Sequence, residues 1–372
     1  MKTQKKLVII GAGYAGINLA KRLSKNKKIK ITLINKTAYH LHQTDIHKFI
    51  SGQVDFDEVG FDLKKFATDN GITFIEKCVS NIDFDNKKVI ASTEEFFYDY
   101  LTIATGSVSF FPKQIKNIEE YSSDIKDIDI LKTQREKFLS IVNSKSKNKN
   151  IAIVGGGLSG VEIALEFASV LKQRDIKEEE CTISLIEQLP TVLPNMDSFL
   201  IDNTVKACYI NNIKRYHGAF VNEVKDDTLF LSNDKKIPFD MILFVIGVTS
   251  EKLAENAEVN VKNQFIVDQY LRLENHKEVF VIGDIAQTKD KNGNYILPTA
   301  QMAKLHAKLT AKNIENSISN KALIKNECET KGIMIDLANK NAVGLILGLK
   351  VKGFIAYNLK KFVSNLHIGM FA

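Results

Sequence analysis

Two glycine-rich segments, Gly11-Ala12-Gly13-Tyr14-Ala15-Gly16 and Gly155-Gly156-Gly157-Leu158-Ser159-Gly160, each join a short apolar run to a stretch with apolar residues at helical spacing. At a strand-to-helix turn each glycine has a task. Gly11 and Gly155 permit the tight turn, Gly13 and Gly157 let the backbone approach a pyrophosphate, and Gly16 and Gly160 let the helix lie close on the strand. The helix N-terminus then stabilises the anion. The chemistry these residues can do is to bind dinucleotides, and two fingerprints imply two sites.

The residues beyond each fingerprint repeat as well. Tyr98 to Gly106 and Phe239 to Gly247 are apolar runs that end in glycine, with Asp99 and Asp240 each seven residues before it. Gly106 lies 95 residues after Gly11 and Gly247 lies 92 after Gly155. A whole domain is therefore duplicated. The copies differ at the end of their second strand, where a carboxylate ordinarily accepts hydrogen bonds from a ribose diol. Ile29 to Ile34 runs into Asn35 and Lys36, whereas Thr182 to Ile186 runs into Glu187. An uncharged Asn35 weakens a ribose contact. Glu187 repels a 2′-phosphate, so the second site is expected to prefer NADH to NADPH.

The elements that must position these residues can be read from the apolar periodicity. Lys6 to Ile10 and Asn150 to Val154 read as buried parallel strands, and Ile17, Leu19, Ala20, Leu23 and Val161, Ile163, Ala164, Leu165 carry the helices after them. The fold class is α/β, with two Rossmann-type dinucleotide-binding domains, β-hairpin additions and a short C-terminal β and amphipathic-helix segment. In that segment Ile333 to Leu337 and Ala342 to Val351 read as a strand pair turning at Asn339-Lys340-Asn341. From Gly353 a helix begins with Phe354, Ile355, Leu359, Phe362, Val363 and Leu366 in one stripe, flanked by Lys360 and Lys361. Such a helix can lie on an anionic membrane. Its alternatives are packing on a nucleotide-binding domain or on the partner in a homodimer.

Composition narrows the class. At 372 residues, 44% hydrophobic and 26% charged, the chain suits two or three ordinary globular domains. Stretches without a charged residue, such as the 13 residues after Asp99, are too short to span a bilayer, and the run before Gly11 is too short for a secretory signal. A cytoplasmic location is expected. Cys78, Cys181, Cys208 and Cys328 have no metal-ligand or redox spacing, so they read mostly as buried thiols and no metal is expected. The net charge of +7 reads as a solvated lysine-rich surface with no nucleic-acid partner, although residues 321–372 alone carry +5.

Glu278-Val279-Phe280-Val281-Ile282-Gly283-Asp284, together with Ala104-Thr105-Gly106, resembles the auxiliary motifs of pyridine nucleotide-disulfide reductase-type flavoproteins. Within that superfamily the chain resembles the type II NADH:quinone oxidoreductases along nearly its full length. The likeness is carried by Ala38 to Gln43, Tyr98 to Gly106, Gly157 to Glu162 and Pro298 to Ala303. It implies non-covalent FAD held by Gly11, Gly13, Gly16, Asn35, Lys36, Thr105, Gly106, Gly283, Asp284 and Ala300. It implies NADH held by Gly155, Gly157, Gly160, Glu162, Glu187 and Gly247, with Glu162 placing the nicotinamide. The FAD domain is then 1–115 with 272–325, the NAD domain 116–271, and a membrane and quinone-side segment 326–372.

The resemblance further implies hydride transfer from NADH to FAD, then electron transfer to quinone without proton pumping, at the cytoplasmic side of the inner membrane as a peripheral protein. Gln301 stands first in the family's AQxAxQ signature; the second Gln falls on Leu305, leaving Gln301 and His306 as the polar groups toward the quinone. Three other readings stay open: a sulfide:quinone oxidoreductase using cysteines, a soluble NADH-dependent ferredoxin or rubredoxin reductase, and a redox-sensing flavoprotein.

Overall fold

Leu7, Val8, Ile9 and Ile10 are at most 2% exposed, as a strand covered on both faces must be. They form the strand Lys5–Ile10 at the centre of a five-stranded parallel sheet. The computed structural model describes residues 4–121, 123–144, 146–254, 258–290 and 293–371, and contacts divide the chain into two units.

The first unit comprises Met1–Leu41, Gly60–Val108 and Val248–Thr330. Its sheet runs Val279–Val281, Tyr100–Ile103, Lys5–Ile10, Ile29–Asn35, Thr73–Glu76. In chain order that is 5-4-1-2-3, the doubly wound arrangement whose order reverses beside the first strand, and ligands of such sheets bind outside the carboxyl ends of the strands at that reversal. The helix Tyr14–Leu23 comes directly after the first fingerprint and packs against the helix Ala300–Ile318. An antiparallel meander of Val79–Asp83, Lys88–Ala91 and Glu94–Phe97 covers the core made by Val8, Ile10, Leu101, Ile103, Val279 and Val281.

The second unit comprises His42–Val59, Ser109–Gly247 and Lys331–Ala372. Its parallel sheet runs Lys214–His217, Cys181–Glu187, Lys149–Val154, Met241–Phe244, or 3-2-1-4 in chain order. The helix Leu158–Gln173 comes directly after the second fingerprint. Phe167 on that helix stacks on Phe138 of the helix Ile128–Asn143, ring centroids 3.9 Å apart and both fully buried. A second meander, Val221–Lys225, Thr228–Leu231 and Lys236–Pro238, repeats that of the first unit.

Two sequence expectations need correction. The segment Ala342 to Val351 is not one strand; Gly332–Asp336, Ala342–Ile346 and Leu349–Lys352 form a three-stranded antiparallel sheet. Leu347 and Gly348 turn the chain with φ of +50° and +81°, a two-residue hairpin that ordinarily advertises itself through Asn or Asp and here carries leucine instead. The cysteines are only half as buried as expected. Cys181 and Cys208 are buried, but Cys328 is partly exposed and Cys78 is exposed in the turn between Thr73–Glu76 and Val79–Asp83.

Candidate functional site

The first fingerprint builds an open cradle. Gly11 has φ +93°, and a Cβ there would lie 2.5 Å from the Ala104 carbonyl oxygen; one on Gly16 would lie 1.9 Å from the Gly11 oxygen. Above Gly13 there is nothing within 4 Å, and the helix that starts after it has no side-chain cap. Asn35 ends its strand facing the turn: its Oδ1 accepts the Ala12 N–H at 2.9 Å while its Nδ2 donates to the Thr37 oxygen at 2.9 Å. Lys36 beside it is exposed.

The other residues assigned to FAD gather in the same unit. The Thr105 hydroxyl is buried without a hydrogen-bond partner, and nothing crowds Gly106, whose φ is +72°. Gly283, at φ +77°, precedes Asp284, whose Oδ2 accepts the Ser107 hydroxyl at 2.7 Å. A bare glycine turn, an uncapped helix and an orphaned hydroxyl fit a bound dinucleotide such as FAD. Ala300 opens its helix behind the Thr299 cap. Gln301 and Leu305, one turn apart, are both half-buried. His306 points elsewhere: 2% exposed, its Nδ1 accepts the Gly283 N–H at 3.3 Å, and burial pushes the imidazole down to about 4, so it stays neutral.

The second fingerprint repeats the geometry. Gly155 has φ +116° and a Cβ there would meet the Val245 oxygen at 2.3 Å, while one on Gly160 would lie 1.9 Å from the Gly155 oxygen. Gly157 and Gly247 have nothing within 4 Å, and the helix after Gly157 has no side-chain cap. Glu187, 9% exposed, takes the Gly156 N–H on Oε2 at 2.7 Å and the Leu189 N–H on Oε1 at 2.8 Å. It occupies the place that Asn35 holds in the first unit.

Glu162 stands on the first turn of this helix and is held by the C-terminal segment. Its Oε1 accepts the Asp336 N–H at 2.9 Å and pairs with Lys360 Nζ. Burial works against the Lys360 charge, but Glu162 and Asp336 outweigh it and hold the ammonium above its ordinary value. Lys360 therefore does not flank the apolar stripe as the sequence led us to expect; it lies on the opposite, inward side of the helix Gly353–Ile368. Ser364 shares that side, donating its hydroxyl to Asp45 Oδ2 at 2.8 Å and accepting from His42 Nε2 at 2.7 Å, and the ring of His367 stacks on His42. The helix turns Lys360, Ser364 and His367 inward, while Phe354, Ile355, Phe362, Val363 and Leu366 are each at least half exposed, with Leu359 at 38%.

Sequence reasoning missed this inward polar set, because Lys360 and Glu162 are 198 residues apart and Asp336 closes a strand that carried no fingerprint. It also passed over Ser107, which the Gly106 neighbour could have signalled.

A family model described as pyridine nucleotide-disulphide oxidoreductase matches residues 5–307. The chain is 26% identical to a type II NADH:quinone oxidoreductase of Staphylococcus saprophyticus, over 97% of this chain and 94% of that protein. Its fold is similar to that of NDH2 from Plasmodium falciparum solved in complex with NADH, with a TM-score of 0.85 at 19% identity, covering 99% of this chain and 97% of that one. The sulfide:quinone oxidoreductase of Aquifex aeolicus is similar too, with a TM-score of 0.83 at 19% identity, covering 99% and 91%.

Proposed function

The chain belongs to the pyridine nucleotide-disulphide oxidoreductases, and we propose that it oxidises NADH and reduces a quinone through non-covalent FAD, without pumping protons. The observation that carries this reading is the likeness to type II NADH:quinone oxidoreductases over 97% of the chain, joined to two open glycine cradles of the same design. Gly11, Gly13, Gly16, Thr105, Gly106, Gly283 and Asp284 would hold FAD, which when bound supplies a two-electron acceptor. Gly155, Gly157, Gly160 and Gly247 leave room for the NADH pyrophosphate, and Glu187 selects the unphosphorylated ribose by repelling a 2′-phosphate. Glu162 orients the nicotinamide from the first turn of its helix, and Gln301 with Leu305 borders the quinone.

Among the described residues no helix is long and apolar enough to cross a membrane. The outward stripe of the Gly353–Ile368 helix supports attachment at the membrane face, where a quinone resides, and Lys361 is exposed beside it.

Sulfide oxidation is the second reading, favoured by the likeness in fold. It needs reactive thiolates. Burial pushes Cys181 up to about 12 and Cys208 to about 11, so neither supplies one at neutral pH. Steady-state turnover decides between them: NADH oxidation should depend on an added short-chain quinone, and sulfide should not replace NADH. Sulfide-dependent quinone reduction without NADH turnover would reverse the assignment.

A further inference from the structure

Below Glu162 the second unit buries a second group of titratable side chains that the dinucleotide site does not use. His47 comes from the helix Ile46–Ile50, Glu166 from the helix Leu158–Gln173 and Asp336 from the end of the strand Gly332–Asp336. They are 2%, 7% and 2% exposed. One ligand atom from each lies within 4.8 Å of the other two, and His47 Nε2 and Asp336 Oδ2 are 3.6 Å apart.

The neighbouring cations are already engaged. Lys48 donates to Asp45 at 2.8 Å, and although its Nζ lies 3.5 Å from Asp336 Oδ2 it makes no hydrogen bond there. Lys360 pairs with Glu162. Once those two pairs are set aside, two carboxylates and one imidazole remain. His47 Nε2 and Asp336 Oδ2 are buried with no hydrogen-bond partner, and among the described residues no donor bonds the Glu166 carboxylate. Asp336 Oδ1 takes the Ala338 N–H at 3.0 Å, which leaves Oδ2 for another partner. Converging ligand atoms, two of them buried without a hydrogen-bond partner, are what a divalent cation engages, since buried polar atoms left unsatisfied are costly.

We propose that His47, Glu166 and Asp336 bind a divalent transition-metal ion of the zinc class. One imidazole nitrogen and two carboxylate oxygens form a set that such ions accept. Ligands about 2.1 Å from a tetrahedral centre stand about 3.4 Å apart, close to the His47–Asp336 separation. The ion joins three segments of the second unit that the chain supplies 119 and 170 residues apart, and so fixes the strand that leads into the C-terminal sheet and helix. Glu166, on the helix face below Glu162, is thereby a ligand and not a solvated acid.

The test uses the full-length, flavin-loaded protein stripped with a chelator and then titrated with Zn²⁺ by calorimetry and with Co²⁺ by visible absorption. One ion per chain should bind, with a low-coordinate Co²⁺ spectrum and a rise in Tm. Glu166→Gln, which removes charge while keeping shape, should weaken binding at least about tenfold and abolish the metal-induced rise. In chelator the same variant should have a higher Tm than the unmodified protein, because it removes a buried carboxyl that no donor satisfies. His47→Gln should also lose the ion; if it fails to fold, Glu166→Gln decides alone. Folded protein that binds neither ion at one per chain, or binds equally well as Glu166→Gln, overturns the proposal. So does a cluster neutralised by protons instead, seen as a Tm that ignores metal and rises as the pH falls.

Discussion

Asn35 and Glu187 end equivalent strands in two copies of one sheet, and both spend an oxygen on the second residue of the glycine turn: Ala12 N–H in the first unit, Gly156 N–H in the second. The pair separates two jobs that a strand-end acid usually combines. Bracing the turn needs only an acceptor, which an amide supplies. Rejecting a 2′-phosphate needs charge, which only Glu187 has. The duplicated domain therefore keeps the brace in both units, and in the proposed function the discrimination falls to one.

Making the same change in both units should have the largest effect. Gly16→Ala and Gly160→Ala each put a Cβ 1.9 Å from a backbone oxygen, a clash worth about 3 kcal/mol or more. Gly16→Ala should yield protein that loses FAD on gel filtration. Gly160→Ala should retain FAD yet lose NADH binding. Equal loss of both ligands in both variants would mean the units are not separate binding devices.

The first unit should also be the acid-sensitive one. His306 is held neutral by burial, with its folded value near 4 against 6.5 unfolded, so the unfolded chain binds the extra proton. Stability contributed by the neutral ring is complete above pH 6.5 and drains between 6.5 and 4, by about 3 kcal/mol. Chemical denaturation followed by flavin fluorescence should show this slope, and His306→Gln should flatten it.

Smaller effects test the strand ends themselves. NADH should reduce the bound flavin at least about tenfold faster per unit concentration than NADPH, about 1.4 kcal/mol, and Glu187→Ala should narrow that ratio in stopped-flow measurements. Asn35→Asp keeps the acceptor for Ala12 but turns the donor to Thr37 into a repelled oxygen. Its expected cost is about 1 kcal/mol in thermal stability, with the NADH preference unchanged because it lies in the other copy.

The glycine turns, the strand ends at Asn35 and Glu187 and the helix stripe were legible in the sequence because each is a local demand: a φ only glycine tolerates, a fixed offset, a repeat of apolar residues. Lys360 was misread for the complementary reason. A lysine beside an apolar stripe reads as a solvated border, and only the fold brings Glu162 from 198 residues away to claim it. The same holds for His47, Glu166 and Asp336. Leu347 hid the third C-terminal strand, since a left-handed leucine carries no turn signal. His306, adjacent to Leu305 in sequence, reads as an available polar group until the helix phase turns it inward onto Gly283.

If one chain takes electrons from NADH and hands them to a quinone, both transfers should be visible on its flavin. Anaerobic single-turnover spectroscopy observes them in sequence. NADH added to the yellow, FAD-loaded protein should bleach the flavin absorbance, and a short-chain quinone mixed in afterwards should restore it in one kinetic phase. Flavin that NADH bleaches but quinone leaves reduced, or that NADH does not bleach at all, would contradict the proposed NADH-to-quinone reaction.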